Sequence, residues 1–364
     1  MLRRYVTILF MAVMVFALAA CGSGSGNSGP SGGGSNGSAT SAAGASETAA
    51  AGQSTAEPEA EQAEPGKPTS IEYTDASGNT VTIPVNPQNV VSLDNRTFET
   101  LEAWGVRLAA APKGVMPNGI GYKTDDAVQD VGNHREPNLE VIAAVNPDLV
   151  IVGQRFAGFY EDIKALVPNA AVININFDVS ATDGTAGQQL VNGFKDVTTL
   201  LGRIFDKEEE AKALIAEFDQ ALETARAAYN GTDKVMSVIV SGGNIGFSAP
   251  RNGRVWGPLY DIFGWVPALE IDNATTDHQG DEVSVEAIAQ SNPDWLFVLD
   301  RDAATSSAGE STPAQDVIVN APALQNTTAV SQGHIYIAPA DTYTNESIQT
   351  FIEIFQGIAD VMKR

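Results

Sequence analysis

The chain of 364 residues contains one cysteine and three histidines, His134, His278 and His334. A single cysteine excludes an intrachain disulfide and a multi-cysteine zinc site. Three scattered histidines argue against a zinc or manganese binder, in which several imidazoles and carboxylates normally converge. Basic side chains are also scarce, 21 against 45 acidic ones, for a formal charge of −24. Nucleic acid requires clustered cations to neutralise phosphates, and anionic lipid requires them too, so electrostatic attachment to either is excluded. No H-E-x-x-H motif is present. A G-x-S-x-G match at Gly29-Pro30-Ser31-Gly32-Gly33 lacks the strand and helix that a nucleophile elbow needs. An enzyme is therefore not expected. With 43% hydrophobic residues the chain can nevertheless build ordinary cores.

What is present begins with an address. Met-Leu-Arg-Arg precedes an apolar run from Tyr5 to Leu18, shorter than the roughly 20 residues that span a bilayer and suited to an export signal. Leu18-Ala19-Ala20-Cys21 resembles a bacterial lipobox, which implies cleavage before Cys21 and lipidation (palmitate included) of the only thiol in the chain. Residues 22–70 are nearly all Gly, Ser, Ala, Thr, Asn, Pro, Gln and Glu, with too little apolar surface to offset the entropy of ordering. As a free coil they have an r.m.s. span of roughly 35–42 Å. Such a tether suits a head held at the outer face of a cell membrane beneath a Gram-positive wall.

The head is predicted to be α/β. Ile71-Glu72-Tyr73 and Thr80-Val81-Thr82-Ile83 flank a turn and read as a hairpin, Val90–Leu93 as a short strand, and Thr97–Trp104 as a helix ended by Gly105. Two later stretches, Asn138–Arg155 and Ser284–Arg301, share one plan: a short helix carrying a Glu, an Asn-Pro-Asp turn, a continuous apolar strand and an Arg. Glu140 precedes Arg155 by the same 15 positions that separate Glu286 from Arg301. Uninterrupted apolar strands suit parallel sheets covered on both faces, and ligands of such sheets gather beyond the strands' carboxyl ends. Arg155 and Arg301 are predicted there. Between the two stretches, a helical period runs from Ala211 to Tyr229, with Asp206 as a candidate N-cap and Gly231 as a stop. Its roughly 36 Å length could cross between two lobes.

A lipoprotein of two α/β lobes joined by a long helix resembles the substrate-binding proteins of iron-siderophore and cobalamin ABC importers, and within them the catecholate and petrobactin-type binders. The resemblance covers nearly all of residues 71–364. It rests on Ile151–Tyr160, Asn252–Gly264, Val298–Arg301 and Ile335–Tyr343. It implies a signal peptide at 1–20, the lipidated Cys21 and tether at 21–70, an N-terminal lobe at 71–205, an interlobe helix at 206–231 and a C-terminal lobe at 232–364. It also implies a ligand cleft between the lobes lined by Arg155, Arg254 and Arg301, with Trp256 as a further contact beside Arg254. The expected role is capture of a ferric siderophore by a monomer and delivery to a permease and its ATPase for iron uptake and homeostasis, with no intrinsic cofactor.

The chemistry agrees. Ferric iron held by three catecholates carries a formal charge near −3 on flat, electron-rich rings, which guanidinium both pairs with and stacks upon. His278 and Tyr343 correspond to positions that, in some relatives, complete the iron coordination of a four-donor siderophore; an exposed loop histidine and a cleft-wall aromatic are the alternative readings. Around His278 and Arg254 the sequence departs from those relatives by an extra residue after the histidine and by Val255-Trp256 in place of one aromatic. Glu140 and Glu286 correspond to surface residues that dock on the permease, and each also suits the first turn of a helix. Haem, cobalamin and hydroxamate siderophores remain alternatives. From residue 71 onward the chain carries 40 acidic and 18 basic side chains, so any anion site must be local.

Overall fold

The computed structural model describes residues 68–181, 183–306 and 310–363. The signal peptide, Cys21 and residues 22–67 of the tether lie outside the described residues. The head opens with a two-stranded antiparallel hairpin, β1 (Ser70–Thr74) and β2 (Thr80–Pro84), in register Ile71 to Ile83. Asp75 closes its turn by accepting the backbone N–H groups of Ser77 and Asn79, each at 3.0 Å. Its other oxygen accepts the Tyr160 hydroxyl at 2.6 Å and the Asn174 N–H at 3.1 Å, which ties the hairpin to the first lobe.

That lobe is built on an all-parallel sheet of β3 (Val90–Ser92), β4 (Leu108–Ala111), β5 (Gln129–Asp130), β6 (Leu149–Val152) and β7 (Ala171–Asn174), in spatial order β5-β4-β3-β6-β7. Helix α1 (Leu139–Ala144) leads into β6. The apolar run of β6 is continuous because both faces are covered: Leu149 and Ile151 enter one core cluster, Val150 and Val152 the other. The strand order reverses direction between β3 and β6, which makes the space beyond their carboxyl ends the place where ligands of doubly wound sheets bind.

Two long helices follow, α2 (Ala186–Ile204) and α3 (Glu208–Ala228). The second lobe then forms around β8 (Lys234–Ser241), β9 (Asn244–Phe247), β10 (Val266–Pro267), β11 (Trp295–Asp300) and β12 (Ile335–Ile337). Its order is β10-β8-β11-β12, all parallel, with β9 folded back antiparallel on β8. Helices α4 (Gly257–Phe263), α5 (Val285–Ser291) and α6 (Ile348–Met362) cover it. As in the first lobe, alternate residues of β11 serve two cores: Trp295, Phe297 and Leu299 on one face, Leu296 and Val298 on the other. Here the direction of the strand order reverses between β8 and β11.

The long-helix expectation needs correction. The helix predicted over 206–231 forms as α3, but its buried side chains, Phe218, Ala221, Leu222 and Ala225 among them, enter the core of the second lobe. The helix that enters both cores is α2: Leu190 and Phe194 belong to the second-lobe cluster, Leu200, Leu201 and Ile204 to the first. Its 19 residues span roughly 28 Å at 1.5 Å rise. The sequence hides this role because α2 carries glycines that read as helix breakers. One of them, Gly193, is a contact: a Cβ there would fall 2.2 Å from the ring of Phe177, so only glycine admits that ring. Nor is Asp206 the N-cap of α3. It adopts a left-handed backbone (φ 54°) in the link from α2, and Lys207 takes the cap position.

Phe194 is the hub of this junction. Its ring centroid lies 5.2 Å from Phe177, 5.9 Å from Phe218 and 5.0 Å from Phe351, joining the first-lobe edge, α3 and α6. Truncation leaves a cavity that three facing rings cannot close. Phe194→Ala is expected to destabilise the head by about 3–5 kcal/mol, read as a lower urea midpoint with an unchanged slope; a loss under about 1 kcal/mol contradicts the hub role.

Candidate functional site

The carboxyl ends of the strands at both reversal points carry arginines. β3 runs out through Leu93 into Asp94-Asn95-Arg96, and β6 into Gly153-Gln154-Arg155. β11 ends at Asp300, which caps the short helix Arg301–Thr305 by accepting the Ala303 N–H at 2.9 Å and so places Arg301 at the strand end. Arg254 comes from the loop between β9 and α4, a tight fold in which Arg251 (φ 71°) and Val255 (φ 64°) take left-handed backbone.

Three of these arginines meet at one residue. Arg155 and Arg254 each donate from Nη2 to the backbone carbonyl of Tyr343, both at 3.2 Å. The guanidinium carbons of Arg254 and Arg301 lie 4.4 Å and 5.2 Å from the centroid of the Tyr343 ring, within cation–π range. Arg301 is further held by the hydroxyl of Ser241, at the end of β8, at 3.1 Å. Tyr343 is only 8% exposed. The Nε atoms of Arg254 and Arg301 are buried without a hydrogen-bond partner among the described residues, so the cluster retains unused donor capacity.

Glu346 and Asp94 bring carboxyls to the cations, and the exposed Asp178 lies on the wall of the adjoining cavity. Glu346 bonds Arg254 through Nη2, and both side chains are 15% exposed. Burial pushes the Glu346 carboxyl up, but the guanidiniums of Arg254, Arg155 and Arg96 outweigh it and hold its pKa below the usual carboxylate value. Asp94 behaves oppositely. Its Oδ1 accepts the Arg96 N–H at 2.9 Å, while Oδ2 is buried with no partner among the described residues. Burial raises its pKa, and Arg96 and Arg155 offset that only in part. Gly153 makes room for it, since a Cβ there would lie 2.1 Å from the Asp94 carboxyl. Burial also lowers the pKa of Arg155, with Arg254 adding to the effect and Glu346 opposing it.

A cavity of about 250 Å³ opens between the lobes beside this cluster. Arg96, Arg254 and Glu346 form its polar side, Phe177, Phe194 and Phe351 its apolar side. Arg96 is 8% exposed, its guanidinium 4.1 Å over the Phe177 ring. The segment that carries Tyr343 and Glu346 is fixed across the lobes. Asn95 donates to the carbonyls of Val115 and Thr344, both at 2.7 Å, and Glu99 accepts from Asn345 at 3.0 Å and Ser347 at 2.6 Å.

The structure thus brings Arg155, Arg254, Arg301 and Tyr343 together, but of the four only Arg254 lines the cavity; the other three pack beside it. Trp256, expected at the ligand, is fully buried in the second-lobe core, 5.6 Å from the Phe297 ring; it supports the Arg254 loop from behind rather than facing a cleft. His278 is exposed on its loop, 3.7 Å from the Asp277 carboxylate, and the cavity wall is reached by Thr276 of the same loop. Among the described residues no three His, Cys, Asp or Glu side chains form a metal-holding cluster. Glu140 and Glu286 are exposed, each at the second position of its helix, α1 and α5. Sequence reasoning missed Arg96, Asp94 and Glu346. For Arg96 the signal was available, an arginine just past a predicted apolar strand as with Arg155; Glu346 lies three residues beyond Tyr343 with no spacing rule to single it out.

A family model for periplasmic binding proteins matches residues 90–342. The chain is 29% identical over 291 residues to the petrobactin-binding protein YclQ of Bacillus subtilis, covering 79% of this chain and 86% of that protein. It is 30% identical over 287 residues to the ferric-anguibactin-binding protein FatB of Vibrio anguillarum, covering 77% and 84%. The crystal structure of YclQ superposes with a TM-score of 0.68 at 26% identity, over 81% of this chain and 99% of that one. The siderophore-binding protein BauB, solved with ferric iron and two acinetobactin molecules, gives 0.69 at 26% identity over 80% and 98%. Matched over most of its length and in both lobes, the chain belongs to the periplasmic binding protein family.

Proposed function

We propose that the chain is the extracytoplasmic solute-binding component of an ABC importer, a binding protein and not an enzyme, and that its ligand is a ferric siderophore. The observation that carries this reading is the set of arginines at the reversal points of both sheets, converging beside an interlobe cavity with aromatic walls. The binding roles in the names of YclQ and FatB, and the ferric complex held by BauB, support it. Within that class the charge favours a catecholate. Four guanidiniums, from Arg96, Arg155, Arg254 and Arg301, stand against three carboxyls: Glu346, Asp94, whose neutral form burial favours, and Asp178 on the cavity wall. The surplus is positive in a chain whose remainder is strongly acidic. In a half-buried cleft a triply anionic complex gains from that surplus far more than a neutral one. Iron enters as cargo with its chelator. Tyr343 lies under Arg254 and Arg301 beside the cavity, where it serves as an aromatic platform or as an oxygen donor to iron, and His278 supplies nitrogen only if its exposed loop closes over the ligand.

The rest of the reading concerns place and partner. Lipidated Cys21 and a flexible tether would hold a monomeric head at the outer face of the membrane, on a Gram-positive surface. Exposed Glu140 and Glu286, at matching positions of two similar units, are suited to dock on paired permease subunits with an ATPase behind them, where charge pairing sets orientation and on-rate.

Tryptophan fluorescence provides the test, since the backbone N–H of Trp256 donates to the Arg254 carbonyl at 2.7 Å and its indole is buried next to that loop. Titration with a ferric tris-catecholate should quench it with submicromolar affinity, against weak or no response to haem and cobalamin; binding of either macrocycle with no response to any ferric siderophore overturns the reading. Arg155→Ala, Arg254→Ala and Arg301→Ala should each weaken tris-catecholate binding roughly tenfold or more, and weaken a neutral ferric trihydroxamate less. Equal losses for both ligands contradict the charge argument. The double variant Glu140→Ala/Glu286→Ala should bind normally yet abolish iron uptake by cells; normal uptake refutes the docking role.

A further inference from the structure

Clustered guanidiniums repel one another, and low exposure strengthens that repulsion by limiting the water and salt that screen it. A protein that must hold such a cluster before its ligand arrives needs an anion of its own. Glu346 is in that position. Its carboxylate bonds Arg254 and faces Arg155 and Arg96, and it forms part of the cavity wall. The other carboxyl near the cluster, Asp94, accepts the backbone N–H of Arg96 and packs against Gly153, and burial favours its neutral form.

The backbone on both sides of Glu346 is pinned. Thr344 is held through its carbonyl by Asn95, Asn345 and Ser347 are held by Glu99, and α6 begins at Ile348. The side chain has more freedom, because the hydrogen bond that holds it comes from Arg254, whose own side chain lines the cavity that a ligand would fill. We propose that Glu346 is a built-in counter-anion of the cleft, and that an anionic ligand takes its place on Arg254. This rests on the reading of the site as a receptor for an anionic ferric complex.

Two consequences follow for selectivity. A ligand that brings more negative charge to the cluster than Glu346 already supplies is favoured, and a neutral complex that cannot replace it binds more weakly. A multiply charged complex gains enough from Arg96, Arg155, Arg254 and Arg301 to displace it. Once the ligand's charge sits beside Glu346, the carboxylate must turn away or take up a proton. The charged groups around it decide which: Arg254 from the β9–α4 loop, Arg155 from the end of β6, Arg96 and Asp94 from the end of β3, and Asp178 past β7 on the same cavity wall. Where the carboxylate stays beside the ligand, loss of the guanidinium contacts removes the influence that holds its pKa down and favours its protonation; where it turns to solvent it stays charged.

The variant Glu346→Gln keeps shape and acceptor but removes the charge. Without ligand it should melt below the wild type at low salt and regain the difference when chloride or sulfate is raised well above physiological strength, because a free anion can then occupy the cluster. With ferric tris-catecholate it should bind roughly tenfold tighter than the wild type at neutral pH, with little change for a neutral ferric trihydroxamate. A variant with unchanged melting at low salt, or one that binds the anionic complex no tighter while folded, overturns the proposal. Should neither protein bind a ferric complex, the siderophore reading fails, and the ligand-free melting experiment still decides whether Glu346 is the counter-anion.

Discussion

The arrangement depends on like charges being held together in a site with little water. Arg155, Arg254 and Arg301 converge on Tyr343, two through its carbonyl and two over its ring, while Glu346 supplies the opposing charge. No one of these contacts is strong in water. Together, in a half-buried crevice, they keep guanidiniums close enough to act on one ligand and leave donor atoms unused, as the Nε atoms of Arg254 and Arg301 show among the described residues. A cluster of this kind favours a ligand that resembles what it lacks: compact, flat-sided and negative.

The fold places that cluster without special loops for most of it. Both sheets reverse their strand order next to the first strand of their lobe, and Arg96, Arg155 and Arg301 follow the carboxyl ends of strands at those two points. Helix α2 joins the lobes by giving side chains to both cores, with Phe194 packed among Phe177, Phe218 and Phe351 at the junction. A second connection runs beside the cavity, where Asn95 and Glu99 hold the segment that carries Tyr343 and Glu346. The two lobes are therefore cross-braced on both sides of the site.

Much of this was legible in the amino-acid pattern, and the failures have physical causes. The repeated unit at Asn138–Arg155 and Ser284–Arg301 predicted two buried parallel strands with arginines at their ends, because a short, unbroken apolar run after an Asn-Pro-Asp turn must be covered on both faces. Periodicity found α3 but chose it as the interlobe rod, since the packing value of Gly193 appears only when Phe177 lies against it. Trp256 was expected at the ligand because it neighbours Arg254, yet Val255 turns the chain with a positive φ and sends the indole into the core. Glu346 could not be found by spacing. Its role depends on three arginines from distant parts of the chain, and only the folded structure brings them to it.

The most direct test is anomalous diffraction at the iron edge from crystals grown with a ferric tris-catecholate. The account predicts a single iron peak between the lobes, beside the cavity formed by Arg96, Arg254 and Phe177, with catecholate oxygens on the guanidiniums of Arg155, Arg254 and Arg301. An iron peak on another surface, or a complex in the cleft that leaves Glu346 on Arg254 and the arginines without ligand contacts, would contradict it.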